Sequence, residues 1–341
     1  MKLQRFSKAV IFIIVAMILV DVMSQTFQPA LVQGRWDSES TANSFYELEP
    51  NSLEVAAIGS SVCAAGVDPC QLYEEQGILA YNLAIISEPM IGTYYWLKEL
   101  YKTQSPKVVI IEIQIAARKR PKKEEKFRRC FDYMKNSLNK FEFALAYCKS
   151  NKEADILDYV FPLSIFHWRW GELGKEDIQE NLAPARGFNA LVKKSGIEFY
   201  GTNMSGNELP KKYSKTDYDY LKQNIELCRE NGSEVVLLKA PDSTWTVEKH
   251  NLIEKRAKEM NVTFIDYSEK ENYKKLKLDW KTDANDEQHL NVLGAEKFTK
   301  AIGVYLKETF ALTDYREKEK YHIDLTPYKR YIKEAKELIK K

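Results

Sequence analysis

The chain has 341 residues, of which 44% are hydrophobic and 29% are charged. This composition is that of a globular protein and excludes collagen-like, low-complexity and mostly disordered chains. The 51 Lys and Arg residues nearly balance the 49 Asp and Glu residues, so a formal charge of +2 provides no overall field for binding nucleic acid. The five cysteines are scattered and include no Cys-x-x-Cys pair, which excludes a disulfide scaffold and a cysteine-based zinc site.

The N-terminus has the pattern of an export signal: the apolar run Ala9–Val20 follows three basic residues, Lys2, Arg5 and Lys8. Twelve helical residues reach about 18 Å of a roughly 30 Å hydrocarbon core, so a spanning helix must include Phe6 and residues past Asp21. We predict an uncleaved signal anchor over residues 1–24, which makes the protein single-pass in the cell membrane with the remainder outside the cytoplasm. Cleavage near residues 22–24 followed by secretion, or a buried core helix, are the alternatives.

After a polar linker at residues 25–50, short apolar runs alternate with stretches of helical spacing. The runs predict five strands, at residues 53–58, 80–85, 107–115, 234–239 and 262–266. Helices are predicted between the strands, at residues 69–76, 90–102, 216–231 and 247–260, and after the last strand, at residues 294–310. Alternation of this kind predicts a three-layer, flavodoxin-like α/β domain with a parallel sheet, formed by residues 51–116 and 216–312. Residues 117–215 are predicted to be a mainly helical insertion, and residues 313–341 a tail that ends in a basic helix.

Two segments at predicted strand ends carry candidate catalytic residues. The first strand runs into Gly59-Ser60-Ser61, where glycine permits a tight turn that would present the Ser61 hydroxyl at the sheet edge. Near the C-terminus, Asp286 and His289 are three residues apart, close enough for the carboxylate to orient the imidazole. Taken alone, a Gly-Ser-Ser segment is more often an ordinary turn, and a single histidine is more often a surface or helix-capping residue. Their combination predicts a serine nucleophile with a base and an orienting acid.

On these motifs the chain resembles the SGNH or GDSL hydrolase superfamily. Gly59-Ser60-Ser61 stands where that family has Gly-Asp-Ser, and Asp286-x-x-His289 stands where it has its terminal Asp-x-x-His. The resemblance implies Ser61 as nucleophile, His289 as general base and Asp286 as its orienting residue. We expect no metal and no cofactor. The N-terminal anchor, Tyr81-Asn82-Leu83, Pro241 and His289-Leu290-Asn291 are similar to the membrane-anchored DltD-like or alginate-acetylation-like branch.

The oxyanion-hole residues depart from the family pattern. Where the family often has a glycine and an asparagine, the nearest counterparts here are Ser87 and Ala116. Backbone N–H groups of Ser61 and of residues 84–87 could replace them, together with the side-chain amides of Asn82 or Gln114, because the reaction requires a donor about 3 Å from the oxyanion rather than a residue type. Among side chains we expect Asn82 to serve, with a purely structural amide as the alternative.

The resemblance implies acyl transfer from a membrane-bound O-acyltransferase partner to an envelope polysaccharide. Two alternatives stay open: a carbohydrate esterase or deacetylase with the same triad, and a catalytically silent, anchored subunit. No contact with nucleic acid is expected.

Four weaker features have both a functional and a structural interpretation. Cys63 could be a thiol nucleophile, but a small buried residue is the more common role for cysteine. Asp283, Asp286 and His289 have no second histidine at ligand spacing, which disfavours a metal centre. The local charge of +6 in residues 118–129 is typical of a solvated helix face, with contact to an anionic lipid surface or polymer as the alternative. The aromatic segment Phe166–Trp170 is typical of a packed core, with stacking on sugar rings or a position at the membrane interface as the alternative.

Overall fold

The computed structural model describes residues 2–29, 32–33, 35–117, 124–174, 177 and 182–341. The chain forms two compact units. The smaller, called here the helical unit, comprises residues 1–31 and 134–181. The larger, the sheet unit, comprises residues 32–133 and 182–341.

Seven strands are found in the described residues: β1 Val32–Gln33, β2 Trp36–Asp37, β3 Val55–Ile58, β4 Ala80–Asn82, β5 Val108–Glu112, β6 Glu234–Lys239 and β7 Thr263–Asp266. β1 and β2 form a short antiparallel pair, while the other five form a parallel sheet in the order β4-β3-β5-β6-β7. The predicted α/β class with five parallel strands is confirmed. All five predicted strands form at the apolar runs, although several are shorter than predicted.

The helices of the described residues are, in chain order, α1 Lys2–Phe27, α2 Ser38–Tyr46, α3 Ser61–Ala64, α4 Pro69–Gln76, α5 Met90–Thr103, α6 Glu124–Phe131, α7 Leu138–Ser150, α8 Ile156–Val160, α9 Leu163–Phe166, α10 Lys215–Glu230, α11 Val247–Glu259, α12 Lys270–Leu276, α13 Trp280–Asp283, α14 Val292–Thr309 and α15 Thr326–Leu338. One face of the sheet packs against α4 and α14, with Leu72, Phe298 and Ile302 in that core. On the other side, α10 contacts β6 and pairs with α5. Buried strands covered by helices explain the near-continuous apolar runs in the sequence.

Two segments of the sheet unit differ from the expected secondary structure. The predicted linker contains α2, which begins where the Asp37 side chain accepts a hydrogen bond from the Ser40 amide, and which buries Ala42 and Phe45. Residues 182–214, within the predicted helical insertion, contain no helix. They form turns and irregular segments that bond to other backbone segments, as in the bond from the Asn189 amide to the Ala64 carbonyl. Such bonds to distant segments leave no local periodicity in the sequence.

The basic run at residues 118–129 is described only in part, since residues 118–123 lie outside the described residues. In α6, Arg128 is buried and pairs with Glu124 and Asp132. Arg129 pairs with Glu125 one turn away. In the described part of the run, these i,i+4 pairs offset much of the local positive charge.

The helical unit contains α1 and the helices α7 to α9, followed by a 3₁₀ turn at His167–Gly171. Residues Phe6–Phe27 of α1 form a 22-residue stretch long and apolar enough to span a membrane or to act as a signal sequence. The Phe27 carbonyl, at the end of α1, accepts a hydrogen bond from Arg169, and the Phe27 ring stacks on Trp170 at 5.7 Å. The aromatic segment therefore packs against the C-terminal end of the apolar helix.

Candidate active site

The turn after β3 presents Ser61 at the carboxyl end of the sheet. Gly59 has a φ of +150°, and a Cβ atom there would lie 2.7 Å from the Cβ of Glu112 on the neighbouring strand β5. Glycine is therefore required by both backbone conformation and space. The hydroxyl of the next residue, Ser60, donates a 3.0 Å hydrogen bond to the buried Glu112 carboxylate, which anchors the turn. Ser61 follows as the first residue of α3 and is half-buried.

A narrow loop before α14 presents Asp286 and His289. The Asn285 amide donates to the His289 carbonyl at 2.8 Å, and Ala284 and Leu290 form an isolated antiparallel bridge that closes the loop. Asn291 then caps α14 through its side-chain oxygen, while its amide group donates to three backbone carbonyls, those of Lys193, Thr282 and Ala284. The loop is thus held at its base by backbone pairing and by a buried asparagine.

The structure brings Ser61, His289 and Asp286 into one hydrogen-bonded chain across 228 residues. The Ser61 Oγ atom lies 2.8 Å from His289 Nε2. On the other side of the ring, His289 Nδ1 lies 2.9 Å and 3.0 Å from the two Asp286 carboxylate oxygens. An ionised carboxylate only accepts hydrogen bonds, so Nδ1 carries the proton and Nε2 is free to accept the proton of Ser61.

The surroundings of Asp286 keep it ionised. Partial burial opposes ionisation, but hydrogen bonds from His289, Gln288 and Asn285 outweigh it and hold the pKa of the Asp286 carboxyl well below its ordinary value. The Asp286 side chain is about half exposed, with 46% of its surface accessible, whereas that of His289 is mostly buried. A negative Asp286 at neutral pH fixes the imidazole tautomer that the geometry requires.

The side-chain amides expected to donate to an oxyanion are engaged elsewhere, which corrects that prediction. The amide nitrogen of Asn82 donates to the carbonyls of Cys63 and Val67 at 2.8 Å each, and its oxygen accepts from the Ala84 amide. Gln114 is buried, and its amide nitrogen donates to Asp242 at 2.8 Å. Asn82 therefore holds the segment that contains α3, and Gln114 links the end of β5 to the loop after β6.

Two backbone amides remain as donors for an oxyanion. The amides of residues 84–86 each donate to a protein acceptor. Within the described residues, the N–H groups of Ser61 and Ser87 have no acceptor. Ser87 also has a φ of +62°, the conformation that a glycine adopts most readily, in the position where the resemblance placed a glycine. Ser61 and Ser87 are therefore the predicted oxyanion residues whose donors the structure leaves available.

The alternative nucleophile and metal ligands have structural roles. The Cys63 side chain is buried and its Sγ lies 3.6 Å from the Asn82 side-chain oxygen. Burial raises the pKa of the Cys63 thiol well above its ordinary value, and Glu112 and Glu88 add to this, so the reactive thiolate is disfavoured. Asp283 accepts from Lys297 at 2.6 Å and from the Asp279 amide at 2.8 Å. It therefore supports α13 and α14.

Comparison with known proteins finds similarity only among solved structures. No family model and no curated protein matches the chain. A GDSL-like lipase from Bacteroides thetaiotaomicron is 10% identical, with a TM-score of 0.38, 80% of this chain covered and 98% of the other. An acetylxylan esterase from Geobacillus stearothermophilus is 13% identical, with a TM-score of 0.35, 76% of this chain covered and 94% of the other. These similarities are too distant to assign an activity to this chain.

Trp36 also contacts the site, and its sequence surroundings did not indicate this. Its indole meets the His289 ring edge-on, with ring centroids 5.1 Å apart and planes at 70°. Trp36 is held in β2 by the neighbouring residues: Arg35 lies over the Tyr331 ring at 4.3 Å, and the Asp37 amide donates to Asn189. Because these contacts join distant parts of the chain, no local pattern around Trp36 indicated its position.

A second loop supports the Asp286 loop and was also missed. The amide and the hydroxyl of Ser243 both donate to the Glu287 carbonyl, at 3.0 Å and 2.8 Å. The side chain of Gln288 donates to the Thr244 hydroxyl, which in turn donates to the buried Asp242. Asp242 lies 3.5 Å from the fully buried Lys239 ammonium. The loop after β6 thus fixes the loop that carries His289, and only Pro241 in the sequence indicated a feature there.

Proposed function

We propose that the protein is an extracytoplasmic serine enzyme that transfers acyl groups, with Ser61 as the residue that carries the acyl group. The observation that carries the proposal is the 2.8 Å contact between Ser61 Oγ and His289 Nε2, with Asp286 on the opposite ring nitrogen. Three groups in this order form the arrangement that activates a serine hydroxyl at neutral pH.

The reaction proceeds through an ester of Ser61. His289 takes the hydroxyl proton as Ser61 Oγ attacks an ester carbonyl, and the amides of Ser61 and Ser87 are the available donors to the oxyanion. When the intermediate collapses, the donor alcohol leaves with the proton from His289. An acceptor hydroxyl then gives its proton to His289 and attacks the acyl group, which restores the free Ser61. Asp286 stabilises the imidazolium at each proton transfer.

For the acceptor we propose a hydroxyl of an envelope polysaccharide, and for the acyl donor a membrane-bound O-acyltransferase. The apolar helix α1, suitable as a membrane anchor, supports a location at the cell envelope. The resemblance of the N-terminal anchor and of residues 81–83 and 289–291 to the polysaccharide-acylating branch supports the acceptor class. With water as acceptor, the same triad would make the protein a carbohydrate esterase.

A catalytically silent, anchored subunit is the second candidate, and one observation favours it. The Asn82 amide donates to two protein carbonyls and the Gln114 amide donates to Asp242, which engages three of the four side-chain N–H bonds expected to be available to the oxyanion. A silent subunit would keep the fold and the polysaccharide contact without forming an acyl-enzyme.

Covalent labelling with a fluorophosphonate probe separates the enzyme from the silent subunit. We expect the wild-type protein to be labelled, Ser61→Ala to lose the label, and Cys63→Ala to keep it. Thermal unfolding of both variants provides the control for folding. Absence of label in folded wild-type protein would favour the silent subunit.

Acetylation of the native envelope polysaccharide distinguishes transferase from esterase. Replacing the chromosomal gene by the Ser61→Ala form should reduce acetylation if the protein is a transferase. Increased acetylation would instead identify a deacetylase with the same triad. The Cys63→Ala strain is the matched control, since this change lies two residues away and leaves the nucleophile in place.

A further inference from the structure

The helical unit exposes an extended apolar surface that the proposed reaction does not use. On α7, Leu138, Phe141 and Leu145 are exposed and lie along one stripe, whereas Phe143, Ala144 and Tyr147 are buried on the other side. Further exposed apolar residues follow on α8 and in the 3₁₀ turn: Leu157, Val160, Phe161, Trp168 and Trp170. These elements contact one another in sequence, α7 with α8, α8 with α9, and α9 with α1. A surface of this kind on a folded protein marks an interaction site.

Contacts within the unit place this surface beside the outer end of the apolar helix. The stack of Phe27 on Trp170 and the 2.8 Å bond from Arg169 to the Phe27 carbonyl fix the aromatic turn to the last residue of the 22-residue stretch. Trp168 and Trp170 are 61% and 72% exposed at that point. In membrane proteins, tryptophan is enriched at this level, where a spanning helix leaves the hydrocarbon.

The start of α7 lies deeper along the same helix. Asn136, two residues before α7, donates to the Asp21 side chain of α1. Asp21 precedes Phe27 by six residues, which is about 9 Å along a helix axis. If the apolar stretch spans the bilayer to Phe27, the beginning of α7 lies below the level of the aromatic turn. The exposed stripe of α7 is then at the depth where acyl chains meet headgroups.

We propose that the exposed surface formed by α7, α8 and the 3₁₀ turn of the helical unit lies in the interfacial layer of the membrane, so that the unit contacts lipid through this surface as well as through α1. The occupant is the bilayer itself, because the surface continues the apolar helix and carries tryptophan at the interfacial level. An apolar helix face on a lipid surface is a common mode of peripheral membrane contact. This inference concerns the anchor and stands independently of the proposed acyl transfer.

Tryptophan quenching in vesicles tests the proposal on the full chain. The chain has six tryptophans, and none of them is in α1, so quenching by brominated acyl chains reports only on the folded units. Three of the six, Trp96, Trp245 and Trp280, are buried in the sheet unit. We expect emission of the wild-type protein in vesicles of brominated phosphatidylcholine to fall below that in unbrominated vesicles. The double variant Trp168→Phe/Trp170→Phe should lose most of this difference, and Trp245→Phe should retain it.

A gain of signal keeps the test independent of any loss of folding. In the double-variant background, Leu145→Trp should restore quenching by brominated lipid, since Leu145 lies in the exposed stripe of α7. Equal emission of the wild-type protein in both lipids would overturn the proposal. Failure of Leu145→Trp to restore quenching would also contradict it. A photocrosslinker at position 145 provides a second test in native membranes, where capture of a neighbouring protein instead of lipid would contradict the proposal.

Discussion

The Trp36 indole and the His289 imidazole form a T-shaped contact, with ring centroids 5.1 Å apart, while Ser61 and Asp286 lie at the two nitrogens of the same imidazole. Two hydrogen bonds fix the ring at its nitrogens, and the aromatic contact limits its tilt. In the proposed mechanism, Trp36 is therefore a positioning residue for His289. Its own position depends on Arg35, which contacts Tyr331 of α15. The C-terminal helix thereby supports the site indirectly.

Replacement of Trp36 should slow the reaction of Ser61 without unfolding the protein. An aromatic pair contributes about 0.5–1.5 kcal/mol beyond its buried area, so we expect Trp36→Ala to lower the rate of fluorophosphonate labelling about 3- to 10-fold. Trp36→Phe, which keeps a ring edge, should recover most of the rate. Unchanged labelling in Trp36→Ala would show that the two hydrogen bonds suffice to orient His289.

Replacement of Asp286 by Asn tests the tautomer argument. An amide can donate to His289 Nδ1, which would place the ring proton on Nε2 and leave the Ser61 hydroxyl without an acceptor. We expect Asp286→Asn to reduce the labelling rate by about 10²- to 10⁴-fold, while thermal unfolding changes little because the side chain is half exposed. Labelling at the wild-type rate would exclude Asp286 as the orienting residue.

Short stretches of sequence were sufficient to predict α4 and the five parallel strands. A helix was predicted at residues 69–76, and the structure has α4 at Pro69–Gln76, with Asp68 as N-cap and Gly77 at a φ of +68°. Apolar runs likewise located all five parallel strands. These features depend on backbone preferences and burial, which a short stretch of sequence records.

The parts that were missed depend on contacts between distant segments. Asn82 follows a buried strand and was expected to donate to the oxyanion, but its amide is engaged by the carbonyls of Cys63 and Val67, which the fold brings to it. Trp36 lay in a predicted linker for the same reason. In contrast, Ser61, Asp286 and His289 could be named in advance because residue type and strand-end position are visible in the sequence, although their distances are not.

Gly59 should tolerate no side chain. A Cβ atom there meets the Glu112 Cβ at 2.7 Å and the Glu112 carbonyl at 3.1 Å, in a backbone conformation unfavourable for other residues. We expect Gly59→Ala to lower the free energy of unfolding by about 2–4 kcal/mol, from backbone strain and overpacking together. Gly171→Ala is the matched control, since nothing lies within 4 Å of a Cβ at that position. Comparable thermal unfolding of the two variants would contradict the proposed close approach of β3 and β5.

Asp68 should make the stability of the protein fall as the pH rises. Its carboxyl is buried between α4 and α15, where it accepts hydrogen bonds from the Cys70 and Gln71 amides and from the Tyr328 hydroxyl at 2.9 Å. Burial raises the pKa of Asp68 from 3.8 to about 7, against the opposing effect of these hydrogen bonds. The proton is thus bound more tightly in the folded state. The resulting stability is complete below pH 4 and is lost as the pH rises through 7.

Replacement of Asp68 by Asn removes the titrating group while keeping a side-chain oxygen for the N-cap. A pKa raised by about three units corresponds to on the order of 4 kcal/mol. In urea unfolding at pH 4, 6 and 8, we expect Asp68→Asn to gain stability relative to the wild-type protein as the pH increases, by up to that amount. Tyr328→Phe, which removes a donor to the carboxylate, should steepen the loss seen in the wild-type protein. Parallel pH profiles for all three proteins would show that Asp68 is already ionised in the folded state at pH 4.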